Sequence, residues 1–285
     1  MINTEFLHQL DRFSLIINKR ITSNYIGERF SRATGRGLIF KDHAIYAPGE
    51  DFRSVDWRVF GRTDKLYVKR YEEERNLTVH VILDSSASMN FGSTITKADF
   101  AGMIGIGFAY LALKNNESFV LSTFSDALEV FRPKKGRAQL ASMVEYLNSR
   151  KPKGLTKLDQ SLAGYKKLIG SKSYVVIISD FLYPIEEIKK ALYFFKNHKL
   201  VLIQVLDKVE RNLNLEGDFR LKDLETNEVL RTYLNPFARQ QYEGMLEEHN
   251  GRIQQACTEV NAQFYSSNTG QSVFDVFYDV LGRKR

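Results

Sequence analysis

Asp84-Ser85-Ser86-Ala87-Ser88 sets one carboxylate and two hydroxyls on alternate residues, directly after the apolar run Val79-His80-Val81-Ile82-Leu83. A loop leaving a strand can turn Asp84, Ser86 and Ser88 toward one point while residues 85 and 87 face away. Two distant stretches offer oxygen in the same kind of place. Thr156 lies in Lys153-Gly154-Leu155-Thr156-Lys157, and Asp180 follows Tyr174-Val175-Val176-Ile177-Ile178-Ser179. Two carboxylates and three hydroxyls form a hard-oxygen donor set suited to Mg²⁺ or Mn²⁺. So few carboxylates leave such an ion electron-poor and receptive to an acidic oxygen from another molecule. The competing reading is that Asp84 and Ser86 only cap the next helix. Three stretches in order, each beside an expected strand, favour the metal. Ser122 and Ser125, near another strand end, read as loop residues.

These ligands need a scaffold that brings strand ends together. From residue 77 the chain alternates buried runs with amphipathic stretches. Strands are expected at 77–83, 118–124, 174–179, 199–206 and 262–266, with a short edge at 127–131. Helices are expected at 96–114, 137–148, 158–169, 185–197, 236–260 and 273–281, Pro236 being tolerated at a helix start. Alternation of this kind implies a mostly parallel α/β sheet covered on both faces. Ligands of such sheets bind beyond the carboxyl ends of the strands, where strand order reverses. Residues 217–234 alternate apolar and polar around Glu225-Thr226-Asn227-Glu228 and read as a surface hairpin.

Ahead of this domain, residues 4–20 carry Phe6, Leu7, Leu10, Phe13, Ile16 and Ile17 at helical spacing, an amphipathic helix expected to pack on the chain. Residues 21–76 differ: glycines recur, helical periodicity is absent, and short strands such as 66–71 are expected. The organisation is therefore an N-terminal helix over 1–20, a β-rich or irregular appendage over 21–76, and an α/β domain over 77–285.

Bulk properties narrow the class. The 285 residues, 43% hydrophobic, can bury a large core. One cysteine, Cys257, excludes an intrachain disulfide framework and a multi-cysteine metal site, and fits a reducing compartment. No apolar run approaches the roughly 20 residues of a membrane span, and the N-terminus lacks a signal-peptide pattern, so a cytoplasmic protein is expected. The formal charge of +7 is spread along the chain without basic clusters, so nucleic-acid binding is not expected. Enzyme signatures are also missing. There is no Gly-x-x-x-x-Gly-Lys-Ser/Thr phosphate loop, no Gly-x-Ser-x-Gly elbow and no His-Glu-x-x-His pair. A haloacid-dehalogenase-type phosphotransferase needs a carboxylate two residues after its nucleophile, where this chain has Ser86.

Asp84-Ser85-Ser86-Ala87-Ser88-Met89, Gly154-Leu155-Thr156 and Ile178-Ser179-Asp180 resemble the metal-ion-dependent adhesion site of von Willebrand factor A domains. Upstream, the run from Tyr46-Ala47-Pro48-Gly49-Glu50-Asp51 through Trp57-Arg58 to Val68-Lys69, followed by Glu72-Glu73-Glu74-Arg75, resembles the signature of the DUF58 family, which joins such a segment to a von Willebrand-like domain. That resemblance implies a metal held by Asp84, Ser86, Ser88, Thr156 and Asp180. It also implies a chaperone or assembly role beside a MoxR-type AAA+ ATPase. The chain departs from the pattern at Ala87, Leu155 and Phe181, where glycine is common; each stiffens the rim without removing a ligand.

Trp57, Arg58 and Arg62 sit in a charge-dense stretch. They either fasten the appendage through Arg–Asp pairs and a tryptophan wedge or form a partner-binding surface. The expected function is a non-enzymatic protein-binding module whose metal engages an acidic residue of a partner, the ATPase or its client. The alternatives are a metal-dependent phosphohydrolase and an RNA-binding von Willebrand-like protein.

Overall fold

The computed structural model describes residues 2, 5–13, 30–35, 39–74, 78–131, 136–150, 152–154, 158–170, 172–224 and 228–282. They fall into two compact units, one of Met1–Ile17 with Leu77–Arg285 and one of Asn18–Asn76.

In the smaller unit, strands β1 (Phe30–Gly35), β2 (Ile39–Ile45) and β3 (Tyr67–Glu74) form an antiparallel sheet in the order β1-β3-β2. Between β2 and β3 lies a helix, α2 (Trp57–Thr63), which corrects the expectation that this stretch holds no helix. Seven residues are too few to show a 3.6-residue period, and the helix is specified instead by its ends. The Asp56 carboxylate accepts the Arg58 amide at 3.0 Å at the start, and Asp64 closes the end in the left-handed conformation at φ 51°. Asp56 also meets His43 Nε2 at 2.9 Å and Lys69 Nζ at 3.3 Å; His43 above all holds its carboxyl down at about 2. Trp57 is 55% exposed and stacks edge-on between Phe52 and Phe60, at 5.3 and 6.0 Å. Arg58 and Arg62 are exposed as well.

The larger unit begins with helix α1 (residues 5–13), whose Phe6 and Leu10 are buried; residues 14–20 of the expected helix lie outside the described residues. The remaining elements are β4 (Thr78–Asp84), α3 (Lys97–Lys114), β5 (Ser118–Phe124), β6 (Leu128–Val130), α4 (Arg137–Ser149), α5 (Leu158–Lys166), β7 (Tyr174–Ser179), α6 (Ile185–Phe194), β8 (Lys199–Leu206), α7 (Lys208–Asn212), β9 (Gly217–Lys222), β10 (Val229–Leu234), α8 (Pro236–Glu259), β11 (Gln263–Asn268) and α9 (Val273–Gly282). Six strands make one sheet in the order β11-β8-β7-β4-β5-β6, parallel except for β6. This is the mostly parallel α/β sheet that the alternation implies.

Side chains alternate strictly across it. Val81, Leu83, Val176, Ile178, Val201 and Ile203 pack into the core under α3, α4 and α9. Ile82, Val175, Ile177, Leu200 and Leu202 pack into the opposite core under α5, α6 and α8. Such double coverage explains why the strands read as unbroken apolar runs. Among the described residues no helix is long and apolar enough to cross a membrane.

Ser125 is a loop residue, as expected, but Ser122 is not. Ser122 lies inside β5, fully buried, and Ser125 is buried just beyond the strand. Cys257 is buried in α8, where burial pushes its thiol up to about 12, so it holds no reactive thiolate near neutrality.

The hairpin β9–β10 pairs Leu221 with Leu230 on one face and Arg220 with Arg231 on the other. Like charges directly opposite in an antiparallel pair repel. Replacing Arg231 by Glu should therefore strengthen the hairpin by about 0.5 kcal/mol. Amide exchange of residues 217–222 should slow about twofold, and unchanged or faster exchange would contradict this pairing.

Candidate metal centre

Strand order places the site. Leaving β4, the chain moves to β5 on one side and then returns to β7 on the other, so β4 and β7 flank the point where the order reverses. Asp84 ends β4 and Asp180 follows β7. Their separation along the chain disappears at this crevice.

Hydrogen bonds join the candidate ligands in a chain. Asp84 Oδ1 accepts the Ser86 amide at 2.9 Å, an Asx turn that bends the backbone back on itself. Ser86 Oγ lies 3.0 Å from Ser88 Oγ, and Ser88 Oγ donates to Asp180 Oδ2 at 3.0 Å. Ser86 heads a short 3-10 turn, Ala87–Asn90, but makes no side-chain cap bond, so the helix-capping reading fails for its hydroxyl. Asp84, Ser86 and Asp180 are each at most 2% exposed, and Ser88 is half-buried.

The third stretch is tied to the same loop. Ala87 donates its amide to the Gly154 carbonyl at 3.1 Å, and Lys153 donates to the Ser85 carbonyl at 3.0 Å. Gly154 has φ 88°, and a Cβ there would come within 3.1 Å of the Asp126 carboxylate, so glycine is required on both counts. Thr156 itself lies outside the described residues.

Four further residues belong to this cluster, although their spacing gave no sign of it. Ser179 Oγ donates to Asp84 Oδ2 at 2.7 Å, and the Tyr183 hydroxyl donates to the same oxygen. On the other side, Lys97 Nζ bridges Asp180 Oδ2 and Glu210 Oε1, each at 2.9 Å, and Lys97 is only 1% exposed. Glu210 is fixed in turn by a capping box at α7. Its second oxygen takes the Asp207 amide at 2.8 Å while Asp207 caps Val209. An Asp-x-x-Glu box directly after an apolar strand was the one available signal for Glu210.

The electrostatics follow from burial. Burial, then the nearby Asp180 charge, pushes Asp84 up to about 6. Burial alone would depress Lys97, but Asp180 and Glu210 outweigh it and hold the ammonium above its usual range. Glu210 is raised by burial despite Lys97. Tyr183 is held well above its ordinary range by burial and by Asp84, so it stays a proton donor to that carboxylate.

The rim is strained. Phe181 follows Asp180 in the left-handed conformation at φ 51° while its ring is 1% exposed. That backbone costs a non-glycine residue about 1–2 kcal/mol. Burial of the ring, the Phe181 amide bond to Ser179 Oγ at 3.1 Å and the His249 contact to the Phe181 carbonyl at 2.8 Å hold it there.

Chemically, Ser86 and Ser88 present neutral hydroxyls and Asp84 and Asp180 present carboxylates, a donor set that suits one hard divalent ion. All four carboxylate oxygens already accept hydrogen bonds. An ion held here would meet the serine hydroxyls directly and the carboxylates directly or through water. The Lys97 ammonium already stands in as a cation on Asp180. Among the described residues no three His, Cys, Asp or Glu side chains gather as a metal cluster, so a carboxylate-rich two-metal centre is not formed there.

Comparison with known proteins places the chain. An uncharacterized protein of Mycobacterium tuberculosis and another of Mycobacterium bovis are each 24% identical to it over 282 residues, covering 97% of this chain and 89% of theirs. Among solved structures, an aerotolerance-related membrane protein from Bacteroides fragilis aligns over 73% of this chain and all of its own, at 12% identity and a TM-score of 0.43. The vWF domain of the type V pili tip protein Mfa5 from Porphyromonas gingivalis aligns over 73% of this chain and 96% of its own, at 12% identity and a TM-score of 0.36. The family described as "Protein of unknown function DUF58" matches residues 42–252, which takes in the Asp56-capped helix and every described residue of the oxygen cluster. The chain belongs to the DUF58 family.

Proposed function

We propose that this protein is a non-enzymatic protein-binding module. In it Asp84, Ser86, Ser88, Thr156 and Asp180 hold Mg²⁺ or Mn²⁺, and the ion captures an acidic side chain of a partner. The reading rests on one observation above all: the unbroken run of oxygens from Asp84 through Ser86 and Ser88 to Asp180 at a reversal of strand order. A neutral-hydroxyl site leaves positive charge on the ion, which an incoming carboxylate neutralises. The motif resemblance to adhesion sites points the same way, and the DUF58 family points to a MoxR-type AAA+ ATPase or its client as the partner, in the cytoplasm. The exposed Trp57, with Arg58 and Arg62, supplies a second candidate contact on the smaller unit. A phosphohydrolase gains no support, because both Asp84 oxygens already accept hydrogen bonds.

Calorimetry with Mg²⁺ and Mn²⁺ tests this. Wild type should bind one ion and Asp84→Ala should bind at least tenfold more weakly, with the circular dichroism unchanged. Binding that ignores Asp84, or none even with added acidic partner peptide, would sink the proposal.

A further inference from the structure

Lys97 is placed where stability alone would not put a lysine. It is the first residue of α3, where the helix dipole disfavours a cation. It is almost fully buried, a position lysine takes only when paired. Both its partners lie far away in sequence, Asp180 at 83 residues and Glu210 at 113. It also shares one oxygen, Asp180 Oδ2, with the hydroxyl of Ser88. That oxygen has two lone pairs, and both are taken. Among the described residues, the other Asp180 oxygen meets the Leu182 amide alone, at 3.4 Å.

We propose that Lys97 is the residue that sets the affinity of this site for a divalent ion, because its ammonium competes with the ion for Asp180, and that Glu210 is the anchor that holds the lysine when the ion arrives. The inference rests on the metal reading above. Without an ion, Lys97 keeps Asp180 aimed at Ser88 and offsets part of the charge of the carboxylate pair. With an ion on Asp180 Oδ2, directly or through its water, the ammonium is repelled from that oxygen and withdraws to Glu210. The capping box keeps Glu210 in place to receive it, since its other oxygen is already committed to the Asp207 amide. The site is therefore built to bind metal weakly by itself and to tighten when a partner carboxylate completes it.

Two variants separate this from a purely structural ion pair. Lys97→Met with Glu210→Gln removes one charge of each sign, so the net charge of the cluster is unchanged; Asp180 loses its counter-charge, so circular dichroism and urea unfolding first establish that the variant is folded. It should bind Mn²⁺ at least tenfold more tightly than wild type. Glu210→Gln alone leaves Lys97 with Asp180 as its only charged partner and should bind severalfold more weakly. A structural pair would move both affinities little, or in the same direction. Calorimetry with Mn²⁺, with Asp84→Ala as the control for the site, reads all of these on the full chain. Equal or weaker binding by the double variant, beside Asp84-dependent binding by wild type, would overturn the role of Lys97 and leave the metal reading intact. No Asp84-dependent binding in any variant would overturn both.

Discussion

Gly107→Ala is expected to destabilise the protein by about 1–2 kcal/mol, and the loss should vanish when Phe277 is cut back to alanine. Gly107 lies on α3, and a Cβ there would sit 2.1 Å from Phe277 Cζ and 2.7 Å from Cε2. The ring has no room to retreat. Phe277 is 0% exposed and is boxed in by Phe108 at 5.3 Å and Phe13 at 5.9 Å. Overpacking of this severity costs about 1–3 kcal/mol and outweighs the roughly 1 kcal/mol by which alanine is the better helix former. Phe277→Ala by itself should cost about 3–5 kcal/mol through the cavity it opens. In that cavity the new methyl group of Gly107→Ala meets nothing, so the second change should be neutral or gain up to about 1 kcal/mol. Urea unfolding of the four proteins gives the coupling directly. An equal cost of Gly107→Ala in both backgrounds would mean that α3 and α9 do not meet at this point. The consequence reaches the site, because the packing of α3 sets where Lys97 enters. Two residues before Gly107, a Cβ added at Gly105 would come within 3.1 Å of Val81 and Leu83 of β4, the strand that ends in Asp84.

Much of this architecture is legible in the sequence, and the reason is local. The central strands β4, β7 and β8 are apolar runs such as Tyr174-Val175-Val176-Ile177-Ile178-Ser179, the pattern of a doubly covered strand. Asp84, Ser86, Ser88 and Asp180 were visible because fixed spacing after such runs is itself a local signal. The rest of the cluster is non-local. Lys97 reads as an ordinary first-turn residue of an amphipathic helix until Asp180 and Glu210 are brought to it. Tyr183 looks like loop until its hydroxyl is found on Asp84. In the smaller unit, α2 was invisible to periodicity and owes its existence to the Asp56 cap. Trp57, read either as a wedge or as a partner contact, is exposed, and the aromatic run Tyr46, Phe52, Trp57, Phe60 stacks on itself.

The second large effect is a dependence of stability on pH that originates at His80. This histidine lies in the middle of β4, 6% exposed, with Nδ1 2.8 Å from the Tyr165 hydroxyl. Burial, and then the nearby His198, depresses it from 6.5 to about 4. A neutral ring accepts the tyrosine proton, and burial holds the Tyr165 hydroxyl far above its ordinary range, so it remains a donor. Above pH 6.5 the ring is neutral whether the chain is folded or not, and its contribution is complete. As pH falls from 6.5 toward 4 the unfolded chain takes up a proton that the folded chain refuses, so stability declines. Below 4 both states are protonated and the decline stops. The whole span amounts to about 3 kcal/mol, at 1.36 kcal/mol for each pH unit. Asp84 acts in the opposite sense. Its carboxyl is raised to about 6, so between 6 and 4 the folded chain holds the extra proton and gains stability. The wild-type profile alone therefore underreports His80. His80→Gln retains an acceptor for Tyr165 without titrating, and the difference between wild type and this variant isolates the histidine. Measured by urea unfolding in the presence of chelator, that difference should shift against wild type by up to about 3 kcal/mol between pH 7 and pH 4. A constant difference across the range would mean that His80 titrates alike in both states, and that the core beneath β4 admits water.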